Sequence, residues 1–276
     1  MISELKKDDY YKCSELLNRN GQIEAIAVIE GVNPGRVFVD NLDLPSSGLI
    51  WLGNNDGFIF IGDEANEAFN GELNNFIDSV IIPEAKKVGL NWFEGIGNHE
   101  KWYKIISSIF KHRELGSWNQ RVYKFLKEND DCKDLREIEQ GYKVVKISEA
   151  LFYNVDNTIH NIDFLHDKIS EFWSTPEDFF HVGIGYCVVY QKEIVSICFS
   201  GFVIENTHCI DIETLPRHQG KKLAQNIAEA FVQDCIKNND IAYWDCMESN
   251  KPSIAVAEKI GFHHVFNYVG YDFKLA

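Results

Sequence analysis

The chain alternates between two hydrophobic spacings, and each change of spacing marks a new element. Leu5, Cys13, Leu16 and Leu17 keep a helical interval and Asn20-Gly21 follows as a stop, so residues 4–20 are expected to be helical. Gly35 to Val39 reads as a short strand. Leu49-Ile50-Trp51-Leu52 and Phe58-Ile59-Phe60-Ile61 flank Gly53-Asn54-Asn55-Asp56-Gly57, which predicts a β-hairpin. Leu73, Ile77 and Ile81 fall four apart and predict a helix that ends near Gly89. A strand over Leu90 to Phe93, a helix over Glu100 to Phe110 and a strand over Gln120 to Phe125 follow.

The second half reads in the same way. Tyr142 to Ile147 predicts a strand and Ile162 to Phe172 a helix. Tyr186 to Tyr190 and Ile194 to Val203 predict two strands joined by Gln191-Lys192-Glu193. Ile210 to Thr214 is a further strand, and Leu223, Ile227, Phe231 and Cys235 mark the next helix. Ile241 to Cys246 (strand), Pro252 to Ile260 (helix) and Val265 to Phe273 (strand) complete the chain.

The two halves share an order. Leu73/Ile77/Ile81 precedes Leu223/Ile227/Phe231 by about 150 residues. Trp92-Phe93-Glu94 answers to Tyr243-Trp244-Asp245, Ile109-Phe110 to Gly261-Phe262, and Tyr123-Lys124-Phe125 to Tyr271-Asp272-Phe273. The steady offset points to a diverged duplication. Between the halves, Lys127 to Asp134 is polar and charged and is the expected linker. The expected division is therefore an N-terminal α/β domain over 1–130 and a second domain over 141–276.

Composition narrows the function classes. The 276 residues are 45% apolar, enough for real cores, and carry a formal net charge of -15 with no long basic run. Nucleic acid and anionic membrane surfaces are therefore not expected partners, whereas a cationic amine suits the field. The N-terminus has no apolar run behind its charges, so no signal peptide is expected, and no 18 apolar residues run together to cross a membrane. Seven scattered cysteines without a C-x-x-C pair fit buried thiols in a reducing cytoplasm.

The informative run is Ile210-Asp211-Ile212-Glu213-Thr214-Leu215-Pro216-Arg217-His218-Gln219-Gly220-Lys221-Lys222-Leu223-Ala224. It reads as a strand, a turn and a helix start. The first N–H groups of a helix have no intrahelical partner and carry partial positive charge, so they receive an anion readily. Gly220 lets the backbone approach a phosphate, and Lys221 and Lys222 add whole charges. A pyrophosphate suits such a turn, although an ordinary solvated turn can carry the same residues. Other chemistries lack their patterns. There is no G-x-x-x-x-G-K-[ST], no G-x-G-x-x-G after a strand and no H-E-x-x-H. Gly183-Ile184-Gly185 reads as a turn. His160, His166, His263 and His264 lack metal-ligand spacing, so no metal site is expected. Ser46, Ser47 and Ser200 lack the G-x-S-x-G context of a serine hydrolase.

The run resembles the acetyl-CoA motif of the GNAT superfamily, Gln/Arg-x-x-Gly-x-Gly/Ala, with Gln219 first and Ala224 last. Lys222 stands where the family has its central glycine, so a lysine must take up that glycine's backbone conformation. A second block strengthens the match. Tyr243-Trp244-Asp245-Cys246 is followed by Asn250-Lys251-Pro252-Ser253 and closes on Gly261-Phe262, as the family's strand, asparagine-led helix and Gly-Phe do. The full pattern resembles the two-part members grouped with the zwittermicin A resistance protein. The motif-level match covers roughly 180–276; the N-terminal part matches in length and layout.

The resemblance implies an α/β (α+β) acyl-CoA N-acyltransferase fold, a mixed central sheet flanked by helices, with a degenerate GNAT-like N-terminal half. It implies acetyl-CoA as co-substrate and a primary amine of a small molecule as acceptor. Backbone groups over Ile212, Thr214 and Leu215 would pair with the pantetheine arm. Gln219, Gly220, Lys221, Lys222, Leu223 and Ala224 would hold the pyrophosphate, with Asn250 and Ser253 near the arm or the phosphoadenosine. The family's usual tyrosine, four residues before the Gly-Phe, is Ala257 here. Asp211 and Glu213, two apart on one strand face, are the expected proton acceptors. The rival readings are a non-catalytic acyl-CoA sensor and an interaction protein that keeps only the fold.

Overall fold

The computed structural model describes residues 1–55, 57–126 and 138–275. The expected linker over 127–134 lies outside the described residues. The chain divides into two compact units, 1–120 with 267–276, and 121–266.

The first unit opens with β1 (Ser3–Glu4), a 3-10 segment (Lys7–Leu16), α1 (Ile23–Ile29), β2 (Gly35–Val39), β3 (Ser47–Leu52) and β4 (Phe58–Gly62). Then come α2 (Glu67–Phe76), which passes through a wider π turn (Ile77–Ile81) into α3 (Ile82–Lys87), β5 (Trp92–Gly97) and α4 (Trp102–Ile109). The helix expected over 4–20 is only the 3-10 segment. Its Tyr10 and Cys13 are buried, and it has no side-chain cap. The expected hairpin forms: β3 and β4 pair antiparallel from Ser47↔Gly62 to Trp51↔Phe58. Strand β4 then pairs in parallel with β5 over Phe58–Phe60 and Gly95–Gly97.

β6 (Gly116–Lys124) leads toward the second unit. There follow β7 (Tyr142–Lys146), α5 (Glu149–Phe152), α6 (Ile162–Phe172), α7 (Pro176–Val182), β8 (Gly185–Tyr190), β9 (Glu193–Ile204) and β10 (Thr207–Thr214). The chain closes with α8 (Leu223–Asn238), β11 (Ile241–Met247), α9 (Lys251–Ile260) and β12 (His263–Lys274). Strands β7 to β10 form an antiparallel meander. The residues of β9 from Ile194 to Ile204 are all buried, because both of its faces are covered. Phe199 meets Phe172 of α6 and Phe179 of α7. Its neighbour Cys198 points the opposite way, into the core with Leu223, Ile227 and Phe231 of α8. Those three residues of α8 are 0–1% exposed, a burial worth roughly 1.5–3 kcal/mol each. Asn239 (φ 61°) ends α8 in the left-handed conformation and Gly261 (φ 112°) ends α9 in the same way.

Both units repeat one layout, an antiparallel meander followed by strand, helix and parallel strand. Strands β4 and β5 and helix α4 start at 58, 92 and 102; β10, β11 and α9 start at 207, 241 and 251, a constant offset of 149. Each is a mixed sheet with helices packed on it, as the family resemblance implies.

The last strand, β12, joins the sheet of the first unit through its C-terminal end. It pairs antiparallel with β5 from Gly270↔Ile96 to Lys274↔Trp92. Phe273 stacks on Phe93 with ring centroids 4.7 Å apart and meets Phe110 at 5.1 Å. The Arg113 guanidinium lies 4.7 Å over its ring. Phe273→Ala is therefore expected to cost the first unit about 3–5 kcal/mol. Urea unfolding measures this, and a loss below about 1 kcal/mol would show that the strand adds little to that core.

Candidate functional site

The site is built where two parallel strands part. β10 pairs with β11 over Thr207↔Ile241, His208↔Ala242 and Cys209↔Tyr243. Between Cys209 and Ile210 the register of β10 against β9 shifts by a bulge. Beyond it β10 continues to Thr214 paired with β9 alone, and the gap toward β11 opens. A cleft of about 740 Å³ occupies the opening.

Strand alternation decides which side chains reach this cleft. Ile212 and Thr214 line it. Ser196 fixes the strand end: its hydroxyl donates to the Glu213 carbonyl and lies 2.7 Å from Thr214 Oγ1. Leu215, expected beside them, is not among the lining residues; its N–H donates to Val195 O at 2.9 Å.

The turn that follows forms the far wall. Gln219, Gly220, Lys222, Leu223 and Ala224 line the cleft. Gln219 Nε2 donates back to Thr214 O at 3.1 Å, closing the loop on the strand it left. Gly220 has φ 77°, and a Cβ there would meet nothing within 4 Å, so the backbone conformation alone selects glycine. Lys222 also sits in the left-handed region, at φ 61° and ψ 19°. The lysine has taken the glycine's conformation, at about 1–2 kcal/mol. Its carbonyl receives both the N–H of Asn226 and Asn226 Nδ2, which fastens the first turn of α8. Lys221 behaves differently from its neighbour. Its ammonium is held 3.0 Å from Glu139 Oε1, and it does not line the cleft.

The second wall comes from α9. Asn250 caps the helix by accepting from the Ser253 N–H, and Ser253 Oγ accepts from Trp244 Nε1 at 2.9 Å. Asn250, Ser253 and Trp244 all line the cleft. So do Pro252, Val256 and Lys259, a row at helical spacing along one face of α9. Lys259 and His218 are cleft residues that the motif reading missed. The spacing from Pro252 would have found Lys259. Lys222 and Lys259 put positive charge at the cleft in a chain of net charge -15.

Asp211 and Glu213 alternate away from the cleft, toward α6. Lys168 of α6 sits 2.8 Å from Glu213 Oε2 and 3.3 Å from Glu171 Oε2. Burial works to lower the Lys168 pKa, but contact with Glu213, Glu171 and Asp211 outweighs it and raises the value, so the ammonium stays charged. Glu213 is 40% exposed, while Asp211 Oδ2 is buried.

Two other chemistries can be set aside on geometry. Ser200 Oγ lies 2.9 Å from His208 Nδ1, and His208 Nε2 lies 3.5 Å from Asp240 Oδ2. A hydrolase triad uses the two ring nitrogens the other way round and needs an open serine. Here Ser200 is fully buried and its hydroxyl also contacts the backbone of Ile184, so the arrangement braces the core. Burial lowers the His208 pKa, with Asp240 working against it. Three of the described thiols are also unsuited to nucleophilic work: burial pushes Cys187 and Cys235 up to about 12 and raises Cys246.

Parting parallel strands, a glycine-bearing turn and a capped second helix together frame the cleft of a mixed α/β fold. The chain belongs to the GNAT acetyltransferase family, whose sequence profile matches residues 14–271. It is 26% identical over 246 residues to an uncharacterized N-acetyltransferase, YdfB, of Bacillus subtilis strain 168, covering 89% of this chain and 88% of that one. Among solved structures it is similar to a GCN5-related N-acetyltransferase-like protein from Streptococcus suis, with a TM-score of 0.70 at 17% identity over 96% of this chain and 98% of that one. A tandem GNAT protein from the clavulanic acid biosynthesis pathway gives 0.59 at 9% identity over 100% and 99%. Among the described residues no helix is long and apolar enough to cross a membrane.

Proposed function

We propose that the cleft of the second unit binds acetyl-CoA and that the protein transfers the acetyl group to a primary amine of a small molecule. The observation that carries this is the opening between β10 and β11, which leads along Ile212 and Thr214 to the left-handed Gly220 and Lys222 at the start of α8. The strand edge offers unpaired backbone groups to an extended pantetheine arm. The start of α8 offers N–H groups to a pyrophosphate, and Lys222 and Lys259 add charge.

In this reading a neutral amine attacks the thioester carbonyl. A C–N bond forms, a backbone N–H stabilises the oxyanion, and collapse breaks the C–S bond to release CoA as thiolate, which takes up the proton that the nitrogen gives off. The proton that the ammonium form of the acceptor must shed before it attacks passes to a carboxylate of β10, directly or through water. Lys222 and α8 then bind and orient, and Glu213 and Asp211 serve the acceptor side. The first unit does not share this role. Asp63 and Glu64 precede α2, Glu67 and Glu72 lie in its first turns, and Asn66 caps the helix, so an anion is repelled there.

A second reading, a non-catalytic acyl-CoA sensor, draws on Ala257, fully buried where the family keeps its tyrosine. Release of CoA thiol from acetyl-CoA across a panel of small amines separates the two. Amine-dependent release is expected; binding of acetyl-CoA without release under any amine would favour the sensor. Within the family we assign the chain to the two-part subgroup that resembles the zwittermicin A resistance protein, on its repeated layout. We also assign it to the cytoplasm, because the six described cysteines are all free thiols.

A further inference from the structure

We propose that His218 is a phosphate ligand of the cleft and that Tyr142 positions it. The inference rests on the reading of the cleft as a CoA site and adds a residue outside the family motif. His218 closes the short 3-10 turn Pro216–His218 and lines the cleft beside Gly220 and Lys222.

Its ring is held from behind. The Tyr142 hydroxyl lies 2.9 Å from His218 Nδ1. The Tyr142 ring stands nearly perpendicular to the imidazole with centroids 5.8 Å apart, and Tyr190, stacked on Tyr142 at 4.3 Å, flanks the histidine at 5.6 Å. Tyr142 is only 7% exposed, so its hydroxyl must find its partners within the protein.

The bond between Tyr142 and His218 sets the tautomer proposed for the histidine. Lys221 Nζ lies 5.3 Å from the centroid of the Tyr142 ring and is held by Glu139 at 3.0 and 3.2 Å. In this arrangement the phenol donates its proton to His218 Nδ1. With Nδ1 accepting, the neutral ring carries its proton on Nε2. An Nε2–H at the cleft is a donor without need of a positive charge, and the ligand group it suits is an anionic oxygen. Lys221, expected at the pyrophosphate, lies instead over the Tyr142 ring and against Glu139, while Lys222 lines the cleft.

Two phosphates of CoA share this chemistry, the pyrophosphate and the 3′-phosphate. Calorimetric titration of the full chain with CoA, 3′-dephospho-CoA and pantetheine distinguishes them. His218→Phe keeps an aromatic ring against Tyr142 and Tyr190 and removes the donor. It is expected to weaken CoA binding about tenfold or more. His218→Gln returns an N–H near the position of Nε2 and should recover part of the loss. If the contact is to the 3′-phosphate, His218→Phe weakens CoA but not 3′-dephospho-CoA; if to the pyrophosphate, it weakens both and leaves pantetheine unchanged.

Tyr142→Phe tests the positioning role. It should weaken CoA binding severalfold in the wild type and add nothing in the His218→Phe background, a non-additivity that a packing role would not produce. CoA binding unchanged in His218→Phe overturns the inference while leaving the CoA cleft intact. No CoA binding by the wild type overturns the cleft reading itself.

Discussion

Gly220→Asp is expected to abolish the thermal stabilisation that acetyl-CoA gives the wild-type chain. A ligand present at 100 times its dissociation constant stabilises the native state by roughly 2.7 kcal/mol, or about 5–10 °C in Tm for a protein of this size. The substituted side chain has room, because a Cβ at Gly220 meets nothing within 4 Å. Aspartate also tolerates the left-handed conformation better than most residues. What remains is a carboxylate set beside the first N–H groups of α8, where it takes up the partial positive charge and repels a pyrophosphate. Gly220→Asn is the control, since it has the same shape and backbone tolerance without the charge. It should keep most of the shift. Equal loss in both variants would trace the effect to the backbone and not to an anion. A wild type that acetyl-CoA fails to protect would remove the case for the cleft.

The parts of this site that were legible in the sequence are those written in local spacing. Leu223, Ile227, Phe231 and Cys235 are all 0–1% exposed on one side of α8, and the four-residue interval announces that face. Asn250, Pro252 and Gly261 mark both ends of α9. The family resemblance further implies that Lys222 takes up a glycine's backbone conformation, and Lys222 stands at φ 61°.

Other parts depended on information that no short window holds. All seven residues of α1 are buried, so Ile23-Glu24-Ala25-Ile26-Ala27-Val28-Ile29 shows no periodicity and no exposed face. Helices α5 and α7 are short, yet each carried a usable signal: Ser148 caps one, and Thr175 with Pro176 starts the other. That adjacent lysines point to different partners follows from the left-handed kink between them and from Glu139, 82 positions away. That β12 pairs with β5 is a matter of long-range register, which spacing within either strand does not encode.

Glu213→Gln is expected to cut amine-dependent turnover by about 10²–10⁴-fold at neutral pH, the range that a positioned general base contributes. The alternation of β10 explains why this residue, and not one on the cleft face, is placed for the task. Ile212 and Thr214 face the cleft, whereas Glu213 turns to the opposite side of the same strand, where Lys168 holds it at 2.8 Å. In the proposed reading the cofactor is held on one side of β10 and the proton acceptor is reached from the other. Exposure separates the two carboxylates. Glu213 is 40% exposed, so water or an incoming alkylammonium can reach it and compete with Lys168. Asp211 Oδ2 is buried beneath that level, so Asp211→Asn should change turnover far less than Glu213→Gln. The loss in Glu213→Gln should shrink as pH rises, because more of the amine then arrives already neutral and needs no base. Acetyl-CoA affinity should stay near wild type, since neither carboxylate touches the cleft. A pH–rate series on both variants with a fixed amine, alongside calorimetry for the cofactor, measures each of these outcomes. Wild-type rates in both variants across the whole pH range would mean that the amine sheds its proton to another group or to bulk water, and the assignment of β10 as the source of the base would be wrong.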